Sequence, residues 1–199
     1  PLPAPSSDGC LDARCVIVAG NRALAVNIMF QDHATGSNAV VLRYVYVEST
    51  GVGISIDSSQ PSIVGTEVLS VGEVTRGITL SNSTAIMRDS FVRAFPSNSA
   101  VGLAALNTTL ELTNVTIEAG DPRILTIATA LFIGGTSPGT VTLNHGIIRG
   151  NSRNGFSIEN AGTVKIGASQ VSGPIAGSGT FTCASSYTQD FVPLGANCL

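Results

Sequence analysis

The chain has 199 residues and a mass of 20.3 kDa, with 43% hydrophobic but only 12% charged residues, about half the roughly 25% charge of an ordinary soluble domain. Its net charge is -3 with an isoelectric point near 5.2, and no basic run could neutralise a series of phosphates, so a nucleic-acid partner is not expected. Apolar runs such as 16–18 and 131–133 fall far short of the ~18 residues of a spanning helix, so no membrane span is expected either.

Val, Ile, Thr, Gly, Ser and Asn dominate while Lys and Glu are scarce, a balance that favours strands and turns over helices. The opening PLPAP lacks the basic and apolar regions of a secretory leader, as either a processed end or a truncated one would. Residues 1–14 read as an N-terminal cap and 15–30 as one loose coil. Asp32-His33 lies in a Gly/Ser/Asn-rich loop, where turn chemistry is a better reading than a metal or general-base site.

From Leu42 onward one phrase recurs six times: an apolar residue, an alternating strand, a turn, then Gly and a second alternating strand. The copies open at Leu42, Leu69, Met87, Leu112, Leu143 and Ile166, spaced 27, 18, 25, 31 and 23 residues apart. Irregular spacing suits variable loops between the coils of one solenoid. Aligning the copies gives an inward column of Val45, Gly72, Ser90, Val115, Gly146 and Ser169, and a second of Val47, Val74, Val92, Ile117, Ile148 and Val171. The second is β-branched throughout, as stacked strand interiors prefer. The following strand begins at Gly53, Gly77, Gly102, Ala130, Gly155 and Gly179 and points inward at Ile54, Ile78, Leu103, Leu131 and Phe156, then Ile56, Leu80, Ala105, Ile133 and Ile158. A Gly at one corner of each coil implies positive φ or close backbone approach. A β-sandwich offers no reason for such alignment.

The predicted fold is therefore all-β, a right-handed parallel β-helix of about six to seven coils forming a single domain, with coils over 15–181 and a C-terminal cap over 182–199. The motifs at 112–117 (LTNVTI) and 155–160 (GFSIEN) resemble the repeat of the pectate-lyase-like superfamily. That resemblance covers about 140 of the 199 residues and implies the fold rather than one activity, since the superfamily holds lyases, hydrolases, esterases, phage tailspikes, adhesins and non-catalytic surface proteins.

The four cysteines fall in two local pairs, Cys10 with Cys15 and Cys183 with Cys198. Three connectivities are open in principle, but the ends of a solenoid lie far apart, which favours local staples. Oxidised pairs point to an extracellular or cell-surface setting; reduced thiols would fit the cytosol, and the spacing does not suit zinc.

A pectin-degrading member would need clustered carboxylates with a nearby Arg or Lys. The thirteen acidic residues are thinly spread, and the best constellation places Arg43, Arg88, Asp89, Asn144, His145 and Arg149 near one strand. Asp89 and His145 fall in one column two coils apart, roughly 9–10 Å, too far for a direct hydrogen bond. Asp57, Glu73 and Glu159 are the carboxylates near repeated strands, and none pairs as a glycosidase requires. No serine elbow, P-loop or metal-ligand motif occurs, so no metal and no cofactor are expected. Thr75, Thr79, Thr113 and Thr116 share no column, which argues against an ice-binding array. The triplets at Asn82, Asn107 and Asn114 match the glycosylation sequon, and Asn with Thr is equally at home in solenoid turns.

Outward columns carry a different signal: Tyr46, Glu73, Phe91, Thr116, Ile147 and Gln170 in the first strand, and Ser55, Thr79, Ala104, Phe132, Ser157 and Phe181 in the second. Tyr46, Phe91, Ile147 and Phe132 are large apolar residues that the core does not require, and they define the expected binding or assembly face. The segment 120–129 is long enough to cover such a patch. The expected function is an extracellular, non-catalytic structural, adhesive or glycan-contacting module, meeting a polysaccharide, a cell-surface partner or copies of itself. The alternative is a polysaccharide lyase or glycoside hydrolase using Arg43, Arg88, Asp89 and His145.

Overall fold

The computed structural model describes residues 15–19, 26–28, 41–121, 123, 127–151 and 155–198. Among these the only regular elements are strands, as the β-branched, Gly- and Asn-rich sequence dictates. In chain order they are β1 (Cys15–Ala19), β2 (Val26–Ile28), β3 (Val41–Arg43), β4 (Val45–Ser49), β5 (Val52–Asp57), β6 (Ser62–Val64), β7 (Glu67–Ser81), β8 (Thr84–Arg88), β9 (Phe91–Leu106) and β10 (Thr109–Thr113). They continue with β11 (Thr116–Ala119), β12 (Ile127–Gly134), β13 (Thr140–Asn144), β14 (Ile147–Gly150), β15 (Phe156–Asn160), β16 (Thr163–Gly167), β17 (Gln170–Ser172), β18 (Ile175–Ala176) and β19 (Thr180–Ala184).

Every ladder between these strands is parallel. They stack in three faces as a parallel β-solenoid. The first face runs β1-β4-β7-β9-β11-β14-β17, and the third is a separate seven-stranded sheet, β3-β6-β8-β10-β13-β16-β19. The second face contains β2, β5, β12, β15 and β18 together with the far halves of β7 and β9, which cross from the first face without a break.

The core is a set of columns, each made by one position in successive coils. On the first face Val47, Val68, Val92, Ile117, Ile148 and Val171 stack inward, and all are buried. On the third, Leu42, Ile63, Met87, Leu112, Leu143, Ile166 and Cys183 stack likewise, all buried but the half-buried Leu42. Burial of each large side chain contributes about 1.5–3 kcal/mol, so these columns set the register.

Three details of the sequence alignment are corrected by that register. Leu42 pairs with Ile63 and Ile63 with Met87, so the second copy opens at Ile63, six residues before Leu69. Val68 takes the place expected of Val74, Thr66 that of Gly72, and Glu67 that of Glu73. Val74 is instead 60% exposed, beside a bulge between Gly72 and Val74. In the fifth copy Leu131 pairs with Ile158, so Ser157 rather than Gly155 occupies the corner. Phe156 lies opposite Thr129 on an outward position, and Asn160 stands inward where Ile158 was expected. Finally, Gly179 precedes β19 and Phe181 pairs with Val164 on the third face, while the last second-face strand is the two-residue β18. The first two slips are by an even number of residues, to which a period-two reading is blind, although the corners between turn Leu69 and Phe156 outward.

The corner glycines owe their identity to close approach. A Cβ on Gly53 would lie 2.5 Å from Val68 Cγ1 and 2.6 Å from the Gly77 carbonyl, distances no side chain tolerates. The other two corners use the left-handed region instead. Tyr44, Gly65, Asp89, Asn114, His145, Ala168 and Ser185 all have φ between 46° and 59° where the third face turns into the first. Ser58, Asn82 and Asn107 do so, with φ of 49–52°, where the second turns into the third. Asn and Asp are favoured there because their side chains tolerate this conformation and bond locally. Asn107 donates to Asn82 Oδ1 at 3.1 Å, and Asn82 to Asp57 Oδ1 at 2.9 Å.

The next residue turns inward and is often Ser or Thr, which closes the corner. Ser90 Oγ donates to the Arg88 carbonyl at 2.6 Å and accepts from the Thr66 amide at 3.1 Å. Ser169 repeats this with the Gly167 carbonyl and the Gly146 amide. Each sequon thus has a structural reading: Asn82, Asn107 and Asn114 form left-handed corners, Ser83, Thr108 and Val115 point inward, and Thr84, Thr109 and Thr116 open the next strand.

At the C-terminal end β16 pairs with β19 as far as Ala184, beyond the expected coil limit at 181. Tyr187 then bridges to Gln170, and the Cys183 amide donates to the Ala196 carbonyl at 2.8 Å. The tail so covers strand edges that would otherwise invite further pairing. A Cys183–Cys198 disulfide ties it down. Cys10 of the expected Cys10–Cys15 pair, the N-terminal cap over 1–14 and the Asp32-His33 loop lie outside the described residues.

Candidate binding face

Parallel stacking turns each outward position of the first face into a line about 4.8 Å per step. One line reads Tyr46, Glu67, Phe91, Thr116, Ile147 and Gln170, continued by Tyr187 through its bridge. Each of these residues is half-buried. Tyr46, Phe91 and Ile147, expected to share a face, do so on alternate coils. Phe132 does not join them: it pairs with Ala104 and Glu159 on the second face.

Two residues further along each strand a second line reads Glu48, Leu69, Arg93, Glu118, Arg149 and Ser172. Here the coils bring together a group that no local spacing announces. Glu118 Oε2 accepts from Arg93 Nε at 3.0 Å, and Glu118 Oε1 accepts from Arg149 Nη1 at 2.9 Å. Arg149 Nη2 also donates to Gln170 Oε1 at 3.3 Å. The carboxylate is 9% exposed and the two arginine side chains 38% and 39%. The charged ends of the arginines thus flank a nearly buried anion.

Aromatic rings fix the first arginine from the other side. The Arg93 guanidinium lies 4.5 Å from the centroid of Phe91 and 5.3 Å from that of Phe95, a cation–π arrangement worth about 0.5–1 kcal/mol at an exposed site. Below it, Tyr46 donates weakly to Glu48 at 3.4 Å. Its phenol pKa lies above the ordinary 10.0, raised first by desolvation and then by the Glu48 and Glu67 carboxylates. The strip is therefore aromatic along one line, ionic along the next, and held in place by its own bonds.

The residues named for catalysis lie on a different rim. Arg43 and Arg88 share an outward column of the third face with Val64 between them. Asp89 and His145 occupy the neighbouring corner, with Asn114 between them donating to Asp89 Oδ1 at 2.7 Å. All four are exposed. Their spacing is two coils in each case, about 10 Å, and Asp89 is engaged in the corner network. Of the carboxylates considered for glycoside chemistry, Asp57 accepts from Asn82 and Glu159 accepts from Thr129 at 3.4 Å.

Among the described residues no three His, Cys, Asp or Glu side chains are gathered as a metal would require, and no helix is long and apolar enough to cross a membrane. The third face carries a threonine column that the sequence reading missed: Thr84 beside Thr109, and Thr140, Thr163 and Thr180 in succession. Its signal was a Thr opening five of the seven strands of that face, β8, β10, β13, β16 and β19. Arg93, Phe95 and Glu118 were also missed, since 25 residues separate Arg93 from Glu118 and 31 separate Glu118 from Arg149. No protein-family model matches the chain, and no curated protein or solved structure matches it either.

Proposed function

We propose that the protein is an extracellular or cell-surface module that contacts a polysaccharide through its first face, without catalysing its cleavage. One observation carries this reading: Arg93 is clasped between the Phe91 and Phe95 rings and the Glu118 carboxylate on the solvent side of the sheet. The core does not need such an arrangement. Sugar rings present an apolar C–H face and an edge of hydroxyls; Tyr46, Phe91 and Ile147 supply an apolar surface for the first. The five donors of each guanidinium exceed the acceptors supplied by Glu118 and Gln170 and serve the second.

Pre-organisation lowers the ordering cost of binding, and the coil repeat suits a ligand that is itself a repeating chain. The Cys183–Cys198 disulfide accords with an oxidising compartment. The three-faced solenoid is also consistent with kinship to the pectate-lyase-like superfamily, whose non-catalytic members set the precedent.

Affinity electrophoresis in gels cast with neutral or acidic polysaccharides tests the reading. Retardation of the protein by at least one polysaccharide is expected, with about tenfold weaker binding for Phe91→Ala and Arg93→Ala. Equal retardation of both variants would sink the first-face assignment. Release of reducing or unsaturated ends would overturn the non-catalytic part, and Arg43, Arg88, Asp89 and His145 would then be the residues to replace.

A further inference from the structure

The outward line of the first face has a period of its own. Taking β4 as the first coil, coils one, three, five and seven present Tyr46, Phe91, Ile147 and Tyr187, and coils two, four and six present Glu67, Thr116 and Gln170. Large apolar side chains thus alternate with polar ones from β4 to the tail. The core beneath does not demand this: Val47, Val68, Val92, Ile117, Ile148 and Val171 are β-branched and buried on odd and even coils alike.

The seventh member belongs to the C-terminal tail, which places it as the solenoid places the others. Ser186 Oγ donates to the Ala184 carbonyl at 3.1 Å and accepts from the Ser169 amide at 3.4 Å, the closure found at Ser90 and Ser169. The Tyr187 amide then donates to the Ser169 carbonyl at 3.0 Å, and its carbonyl accepts from the Val171 amide at 2.9 Å. The line so continues one coil past β17, with the Tyr187 ring backed by Phe191 at 5.3 Å. On the neighbouring line Arg93 and Arg149 share the coils of Phe91 and Ile147, with Glu118 between them. Apolar surface and guanidinium therefore recur together every two coils, about 10 Å. The two guanidiniums stand against the carboxylates of Glu48, Glu67 and Glu118 along these lines, so a polyanion meets no net attraction.

We infer that the ligand of this face is a neutral β-1,4-linked glycan lying along the solenoid axis, with one sugar to each coil. The inference rests on the first face being the polysaccharide-binding surface, and adds the linkage, the charge and the direction of the chain. Equatorial 1,4 linkages give a straight ribbon in which each ring is turned over relative to the last, so the same edge recurs every second sugar, at a spacing close to two coils. Alternate rings lie against Tyr46, Phe91, Ile147 and Tyr187. Those between them offer hydroxyls to Glu67, Thr116 and Gln170, and the recurring edge meets Arg93 and Arg149. An α-1,4-linked chain curls away from so straight a line, and a polyuronate lacks the opposite charge it needs.

Calorimetric titration of the intact oxidised chain with cellobiose, cellotetraose, cellohexaose, maltohexaose and hexagalacturonate tests it. Affinity should rise about tenfold from cellotetraose to cellohexaose as further coils are engaged, and maltohexaose and hexagalacturonate should bind at least about tenfold more weakly than cellohexaose. The Tyr46→Ala/Tyr187→Ala double variant should bind cellohexaose no more tightly than cellotetraose, while Thr109→Ala on the third face should match the parent. Should the double variant not fold, as read by circular dichroism, the parent's length series decides: equal affinity for cellotetraose and cellohexaose overturns the axial direction. Maltohexaose or hexagalacturonate bound as tightly as cellohexaose, and lost in Phe91→Ala, overturns the inference but leaves the first face as a polysaccharide-binding surface. No binding of any oligosaccharide, with no retardation by any polysaccharide, sinks both. A dimer that dissociates in Phe91→Ala, without sugar binding, would assign the face to a second copy of the chain and overturn both.

Discussion

Replacing Gly102 by alanine tests whether the solenoid is held by contact between its faces. In a strand, a glycine-to-alanine change that fits its site stabilises by about 0.4–1 kcal/mol, through the unfolded chain. Here the new methyl would sit 2.6 Å from the Ala130 carbonyl oxygen of the next coil and 2.7 Å from Ile117 Cγ2. Neither neighbour yields easily. The carbonyl belongs to the β9–β12 ladder, and Ile117 is fully buried between Val92 and Ile148 with a stiff branched side chain. Overpacking of this kind costs about 1–3 kcal/mol, so the net expectation is a loss of about 1–2 kcal/mol.

For a domain of this size that corresponds to a fall in Tm of about 2–8 °C, readable by circular dichroism during heating and by the urea midpoint. Ile117→Val in the Gly102→Ala background should recover none of the loss, since valine keeps the clashing Cγ2 methyl and the carbonyl contact remains. The fourth coil provides a contrast: Ala130 occupies the equivalent position and is buried, so Ala130→Gly should also destabilise, by about 0.5–1 kcal/mol. A neutral or stabilised Gly102→Ala protein would refute the account of the corner glycines as sites of close approach.

Other outcomes follow from the corners, the tail and the first face. Asn107→Gly keeps the left-handed conformation but loses the bonds to Asn82 and Ser137; it should cost about 1 kcal/mol, and Asn107→Ala, which adds backbone strain, about 2–3 kcal/mol, both measured as urea midpoints. Removing the Cys183–Cys198 disulfide, whose cysteines are 15 residues apart, should cost up to about 3 kcal/mol. Amide exchange should then accelerate at Cys183 and Leu194, whose N–H groups bond Ala196 and Ser186; unchanged exchange would mean the tail docks without its staple.

The Tyr46 phenol should ionise above its ordinary 10.0, as read from the phenolate absorbance missing in Tyr46→Phe, with Glu48→Gln bringing it part of the way down. Because the folded state holds this proton more tightly, its contribution to stability is complete below pH ~10 and declines as pH rises through the folded-state value.

Much of the architecture is legible in the amino-acid order. Alternation, β-branched columns and the spacing of the copies from Leu42 determine an all-β stacked repeat, because side chains on adjacent coils must share one interior. Local chemistry also marks the corners: Asn82-Ser83, Asp89-Ser90 and Asn107-Thr108 pair a residue tolerant of positive φ with one whose hydroxyl closes the turn. Register is another matter. Leu69 fits the same apolar alternation as Ile63, and Phe156 the same as Ile158, because a period-two pattern does not show the corners that turn Leu69 and Phe156 outward.

Only the summed packing of Val47 on Val68 on Val92 selects between such alternatives. The site depends on that choice more than the core does. Tyr46, Phe91 and Ile147 could be assigned to one outward line from the repeat, but Phe132 lies around the corner from them. Arg93, Glu118 and Arg149 become neighbours only when their coils stack in register. Apolar periodicity is a property of each strand alone and can be read there; an ion pair between coils depends on a single correct offset, which only the tertiary structure supplies.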